Sequence, residues 1–167
     1  MSDLFIRAFN RTMDFEGRVV ENDPHDQGGQ TFWGISRNSF PEWPGWDLVD
    51  SGLEVTEEVI QDFYLHQFWI PALCELYEND ELSIQVFDWN VNSGARAIKT
   101  LQTLLGLEAD GKVGPLTLSA IKSQDKGILV DKYLISRVAF YNDLVARRPD
   151  NKRYLKGWVK RCVRSVA

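Results

Sequence analysis

Phe15-Glu16-Gly17-Arg18-Val19-Val20-Glu21-Asn22-Asp23-Pro24-His25-Asp26-Gln27-Gly28-Gly29-Gln30-Thr31-Phe32-Trp33-Gly34-Ile35-Ser36 is where the chain changes period. Glu16-Gly17 ends a helical pattern. From Val19 to Ile35, β-forming residues mix with Asn-Asp-Pro and Gly-Gly, which predicts a small irregular hairpin rather than a second helix. Gly28 and Gly29 allow a tight turn, because glycine adopts positive φ without strain. Glu16, Asp26 and Thr31 are thereby set around a turn-rich hairpin. Cleaving a glycosidic bond needs one carboxyl group to protonate the leaving oxygen and a polar group on the opposite face to manage water or the developing positive charge. These three residues are of the types that such a cleft requires.

Outward from this stretch the pattern is helical. Asp3 to Asp14 carries Leu4, Phe5, Ala8, Phe9 and Met13 at helical spacing, with Ser2 or Asp3 as N-cap. Pro41-Glu42-Trp43-Pro44-Gly45-Trp46 is expected to be a rigid loop. Thr56-Glu57-Glu58-Val59 reads as an N-cap with first-turn acids, opening a helix to about Trp69 that Pro71 stops. Further helices are predicted over Glu81 to Asn92 and after Ser93-Gly94, the latter with Ile98, Leu101, Leu104 and Leu105 on one face and Gly106 at its end. Asp110-Gly111 signals a turn, and Gly114-Pro115 opens a short helix through Ile121. Gly127 to Arg147 repeats Leu134, Val138, Tyr141 and Val145 before Pro149 breaks it. The last helix carries Tyr154, Leu155, Trp158, Val159, Cys162 and Val163 on one side. The expected fold class is mainly α with one small β-hairpin near the N-terminus.

The 167 residues, 44% hydrophobic and 26% charged, suffice for one compact unit, or two small ones sharing a core, without covalent staples. Cys74 and Cys162 form no disulfide framework and read as buried thiols. No apolar run reaches the roughly 18 residues of a membrane span, and Met1 to Asn10 lacks a secretion-signal pattern. The expectation is a monomer made in the cytoplasm that needs another route, a holin or a secretion system, to a substrate outside it. Arg147 to Arg164 holds eight basic residues against the single acid Asp150, whereas the preceding residues hold eleven basic and twenty-three acidic groups. An acidic body argues against nucleic acid as partner. The basic tail either attracts anionic wall polymers or membrane, or is the solvated face of a packed helix.

The Glu, Asp and Thr spacing resembles that of phage-type lysozymes, with Thr31-Phe32-Trp33-Gly34-Ile35 as the strand that follows. More specifically, Glu16-Gly17 followed by Asn22-Asp23-Pro24, Asp26, Gly28-Gly29, Thr31 and Gly34-Ile35-Ser36 is similar to glycoside hydrolase family 108, N-acetylmuramidases of bacteria and phages. The second half resembles that family's companion peptidoglycan-binding region through Asp88-Trp89-Asn90-Val91-Asn92-Ser93-Gly94, Arg96-Ala97-Ile98-Lys99-Thr100-Leu101-Gln102 and Asp110-Gly111-Lys112-Val113-Gly114-Pro115-Leu116-Thr117. Phe63-Tyr64 and Phe68-Trp69 with Pro71 also fit. The chain departs from the family's usual Glu-Gly-Gly-Tyr with Arg18 and Val19, and has one extra residue before Asn22. The resemblance implies a lysozyme-like helical fold whose hairpin stands beside the active-site cleft. It divides the chain into a catalytic region over 1–77 and a helical peptidoglycan-binding region over 78–167, packed as one unit.

Glu16 is the candidate general acid, kept protonated by partial burial against Phe15 and Trp33; the plain alternative is a surface Glu at a helix end. Asp26 and Thr31 would hold the attacking water, set back from the acid by roughly 6.5 to 9.5 Å in an inverting enzyme. Alternatively, Asp26 forms an Asx-turn and Asp23 takes its place. Trp33 and Trp46 are candidates for stacking on sugar rings, with Trp69 and Trp89 assigned to the core. Asp88 and Asn92 are candidates for the cleft's far wall, although Asn92 serves equally as a helix cap. His25 is either a substrate contact or simply solvated. The two histidines are far apart in sequence, so no metal is expected, and no organic cofactor is implied.

The resemblance implies cleavage of the β-1,4 bond between N-acetylmuramic acid and N-acetylglucosamine in peptidoglycan, with inversion, in the periplasm or cell wall. A phage endolysin and a muramidase assisting secretion both fit. A lytic transglycosylase on the same bond and a non-catalytic wall-binding protein remain open.

Overall fold

The computed structural model describes residues 1–16, 20–21 and 30–163; for Glu16, Val20 and Glu21 the description is of the backbone alone. The chain forms two compact units, Met1–Gln67 and Phe68–Ala167. Among the described residues, the order is helix α1 (Asp3–Glu16), strands β1 (Val20–Glu21), β2 (Thr31–Phe32) and β3 (Ile35–Ser36), then α2 (Gly45–Asp50) and α3 (Glu57–Tyr64). In the second unit come α4 (Asp80–Ser93), α5 (Arg96–Leu104), α6 (Pro115–Lys122), α7 (Lys126–Arg147) and α8 (Lys152–Arg161). This is the mainly helical architecture with a small N-terminal sheet that the periodicity predicts.

In unit 1 the stripe on α1 does what its spacing implies: Phe5, Ala8, Phe9 and Met13 are fully buried. Ser2 resolves the choice of cap, its hydroxyl accepting from the Phe5 N–H at 3.2 Å. The three strands pair antiparallel in the order β1-β2-β3, with Glu21 opposite Thr31 and Phe32 opposite Ile35. Trp33 and Gly34 form the two-residue connection between β2 and β3, both with positive φ, 49° and 80°. That is the mirror-image turn whose twist matches that of the strands.

The expected loop at Pro41–Trp46 is corrected at its end, because Gly45 begins α2. Pro44 presets a helical φ of −60°, and Trp43 fills the space above Gly45. The helix predicted from Thr56 is α3, and it widens into a π turn over Leu65–Trp69 ahead of Pro71.

Unit 2 is built around α4, which is buried continuously from Leu82 to Trp89. A helix buried on nearly all sides must satisfy most of its polar side chains internally, although Trp89 Nε1 is buried with no hydrogen-bond partner among the described residues. Ser83 donates to the Cys74 carbonyl at 2.7 Å. Asn79 and Asp125 cap α4 and α7, accepting from the Leu82 and Ile128 N–H groups. α5 and α7 pack on α4, and α8 packs on α7. Gln102, almost fully buried, holds the Asp110-Gly111 turn by donating to Asp110 Oδ1 at 2.7 Å and the Lys112 carbonyl at 2.9 Å, while accepting from the Gly111 N–H at 2.8 Å. Cys74 and Cys162 are buried free thiols, and burial pushes the Cys74 thiol well above its usual pKa.

Candidate active site

The candidate site lies in unit 1, where helix α1 ends and the sheet begins. Glu16 is the last residue of α1. Its side chain lies outside the described residues, as do Gly17 to Val19 and Asn22 to Gly29, and with them Asp26, its competitor Asp23, His25 and the Gly28-Gly29 turn. Thr31 is half-buried at the start of β2, in register with Glu21 on one side and Ser36 on the other.

Tyr64 at the end of α3 fixes both structures that carry these residues. Its ring meets Phe9 of α1 edge-on at 5.6 Å, and its hydroxyl donates to the Trp33 carbonyl at 2.8 Å. The Tyr64 side chain is only 1% exposed, so both contacts are held by a ring fixed in the core of the unit. One side chain thus joins the helix that ends in Glu16 to the turn that follows Thr31 by two residues. In the sequence Phe63-Tyr64 stands only as part of a motif; an aromatic with a polar tip at the end of an amphipathic helix is the signal for such an anchor.

The aromatic candidates separate. Trp33 is half-buried, and its positive φ turns it out of the regular strand path. Trp46 is 4% exposed: its N–H donates to the Phe40 carbonyl at 2.8 Å, the Arg37 guanidinium lies 4.5 Å over its ring, and Trp43 abuts it edge-on at 5.1 Å. Trp46 therefore packs this segment and offers little open face for stacking. Trp69 and Trp89 are buried in unit 2 as expected.

Asp88 and Asn92 both sit on α4. Asp88 is 1% exposed; Arg137 Nη2 donates to its Oδ2 and Arg161 Nη2 to its Oδ1, both at 2.6 Å. Burial pushes its carboxyl up, but the two guanidinium groups outweigh that and hold it below the usual range. Here Asp88 is an internal anchor, not an open wall. Asn92 is exposed, with its amide donating to the Asp88 carbonyl at 2.7 Å.

Arg161 is the correction to the basic tail. It lies on the apolar side of α8 and is buried, whereas Lys152, Arg153, Lys156 and Lys160 are exposed. Among the described residues no three His, Cys, Asp or Glu side chains converge to hold a metal ion, and no helix is long and apolar enough to cross a membrane.

Comparison with known proteins bears on the same regions. The model of the family described as "Glycosyl hydrolase 108" matches residues 9–94, from the middle of α1 through the sheet to the end of α4, and that of the "Predicted Peptidoglycan domain" matches residues 96–163. Among solved structures, the chain is similar to SagA of Brucella abortus, with 24% identity, a TM-score of 0.75, and 95% of this chain and 88% of that one covered. At that identity the likeness speaks for the fold, which is lysozyme-like. No curated protein matches the chain. With its first model covering just over half of the sequence and the second most of the remainder, the chain belongs to glycosyl hydrolase family 108, glycoside hydrolases that act on peptidoglycan.

Proposed function

We propose that the chain is an N-acetylmuramidase that hydrolyses the β-1,4 bond between N-acetylmuramic acid and N-acetylglucosamine. Glu16 is the general acid that protonates the glycosidic oxygen. Asp26 and Thr31 hold the attacking water on the opposite face, which inverts the anomeric centre. Trp33 stacks on a sugar ring, and Asn92 is a further contact to the glycan. Trp46 and Asp88 serve through packing. Delivery to the wall runs through a holin or a secretion system, in the role of an endolysin or of a muramidase that opens the wall for export.

The observation that carries this reading is the Tyr64 anchor. It holds in one unit the helix ending in Glu16 and the turn next to Thr31, and an acid catalyst is effective only when its support is rigid.

The test is digestion of defined peptidoglycan by wild type and Glu16→Gln, with products read by mass spectrometry and wall binding measured in parallel. Reducing muramic acid ends from wild type, lost in the variant while wall binding persists, are expected. Anhydro ends would identify a lytic transglycosylase, and undiminished hydrolysis by Glu16→Gln would remove Glu16 from the acid role.

A further inference from the structure

A cavity of about 660 Å³ opens in unit 1 between the segment after β3 and helix α3. Its walls are aromatic. Phe40 meets Phe63 edge-on at 4.9 Å, and Trp43 meets Phe63 at 5.8 Å. The volume is in the range of sites for small ligands and short peptide segments.

Its rim is acidic. Glu42, Glu58 and Asp62 line the opening, all exposed. Glu58 and Asp62 are four residues apart on α3, where like charges repel and weaken a helix. Asp62 has His66 as neighbour, Nδ1 to Oδ1 at 3.2 Å. Neither Glu42 nor Glu58 has a cation beside it among the described residues. The sequence explains why: from Asn38 to Ala95 there are twelve Asp or Glu and no Lys or Arg. The nearest basic residue before that run, Arg37, is engaged with Asp50 at 2.6 Å and with the Trp46 ring.

Spread carboxylates around aromatic walls select a ligand that is both cationic and apolar. Aromatic faces attract cations as well as bury hydrocarbon, and the carboxylates add a field of the same sense. The acids are too dispersed to form a metal site. We propose that the cavity is a docking site for a basic segment of a partner protein, a short stretch in which Lys or Arg alternates with large apolar side chains. The apolar residues enter between Phe40, Trp43 and Phe63, and the cations face Glu42, Glu58 and Asp62.

The probe is a fluorescent, C-amidated peptide Leu-Arg-Leu-Lys-Leu-Arg, titrated with the full chain and read by anisotropy. Three comparisons accompany it: the Gly-Arg-Gly-Lys-Gly-Arg peptide, spermidine as competitor, and two charge-matched variants. Glu58→Gln/Asp62→Asn removes two rim charges, and Glu54→Gln/Asp47→Asn removes two exposed charges outside the cavity. Expected is saturable binding, weakened at least tenfold by the rim variant and less than twofold by the control variant, with the glycine peptide at least tenfold weaker. Absence of binding overturns the proposal, as do equal losses in both variants, equal affinity for the glycine peptide, or displacement by spermidine at the peptide's own concentration. Since none of these residues belongs to the proposed hydrolytic site, peptidoglycan digestion by the rim variant is expected to match wild type, and the two readings stand or fall separately.

Discussion

Asp88, Arg137 and Arg161 form a buried cluster with two cations and one anion. Arg137 is fully buried and also donates to the Tyr141 hydroxyl at 3.2 Å and to Gln85 Oε1 at 3.3 Å. The stoichiometry makes the three residues unequal. Asp88→Asn leaves two buried guanidinium groups facing a neutral amide, and breaking a buried pair in this way costs about 3–5 kcal/mol. Arg161→Gln leaves one cation on one anion, a neutral pair, and is expected to cost clearly less. Denaturant unfolding followed by tryptophan fluorescence compares them, and equal losses would refute the asymmetry. The depressed pKa of Asp88 fixes the sign with pH: a carboxyl lowered in the folded state stabilises it above the unfolded value, and that contribution is lost as pH falls through the folded one. The wild type's contribution from Asp88 therefore persists through neutrality and fades only in strong acid. Two of the three positions stand out in the sequence by their spacing. Arg137 lies three residues after Leu134 and four before Tyr141, and Arg161 three after Trp158, so charged residues occupy apolar stripes. Composition made the tail look like a solvated face; periodicity, read residue by residue, marks Arg161 as inward.

At the scale of elements, α2 shows what a loop-like sequence can conceal. An ideal Cβ on Gly45 would lie 2.2 Å from the Trp43 ring. That ring is itself held edge-on by Trp46 at 5.1 Å and by Phe63 at 5.8 Å. Gly45→Ala gains at most about 1 kcal/mol in helix propensity, whereas overpacking a fixed aromatic costs about 1–3 kcal/mol. Destabilisation is thus expected, lowering the melting temperature by several degrees in a thermal scan; a rise would mean that Trp43 can move aside. Proline and glycine density suggested a rigid loop because these residues break helices in their interiors, yet the same residues are at home at a helix start. Helices α1, α3, α5 and α7 were legible because one face of each is apolar at the helical period. α4 was legible as a helix, but its burial on nearly all sides belongs to tertiary packing. The strands are only two residues each, so their pairing depends on the Trp33-Gly34 turn and on Tyr64, neither of which follows from alternation. Of the candidate site, residue types and spacing were legible; the anchor that links α1 to the turn required the fold.

Across the whole molecule, charge is divided between the two units. Unit 1 holds thirteen acidic and four basic residues, and unit 2 eleven and fifteen, so the two carry opposite net charge. Peptidoglycan is an anionic surface, and attraction to it must come from the second unit. The four exposed cations of α8, Lys152, Arg153, Lys156 and Lys160, are the compact source, since Arg161 is committed to Asp88. Each exposed charge acts weakly, but several together shift affinity measurably, and salt screens them over about 8 Å at physiological ionic strength. Replacing all four by Gln is expected to weaken binding to insoluble peptidoglycan by about tenfold at low salt. The gap should close toward wild type as salt is raised, with stability little changed because the substitutions leave the buried triad intact. Turnover of short soluble glycan fragments, which do not need a surface to hold them, should be unaffected. Pull-down on purified sacculi across a salt series, alongside hydrolysis of soluble fragments, separates the two effects. An unchanged salt dependence would assign wall attachment to uncharged contacts of the peptidoglycan-binding region and leave the α8 cations as a solvated face alone.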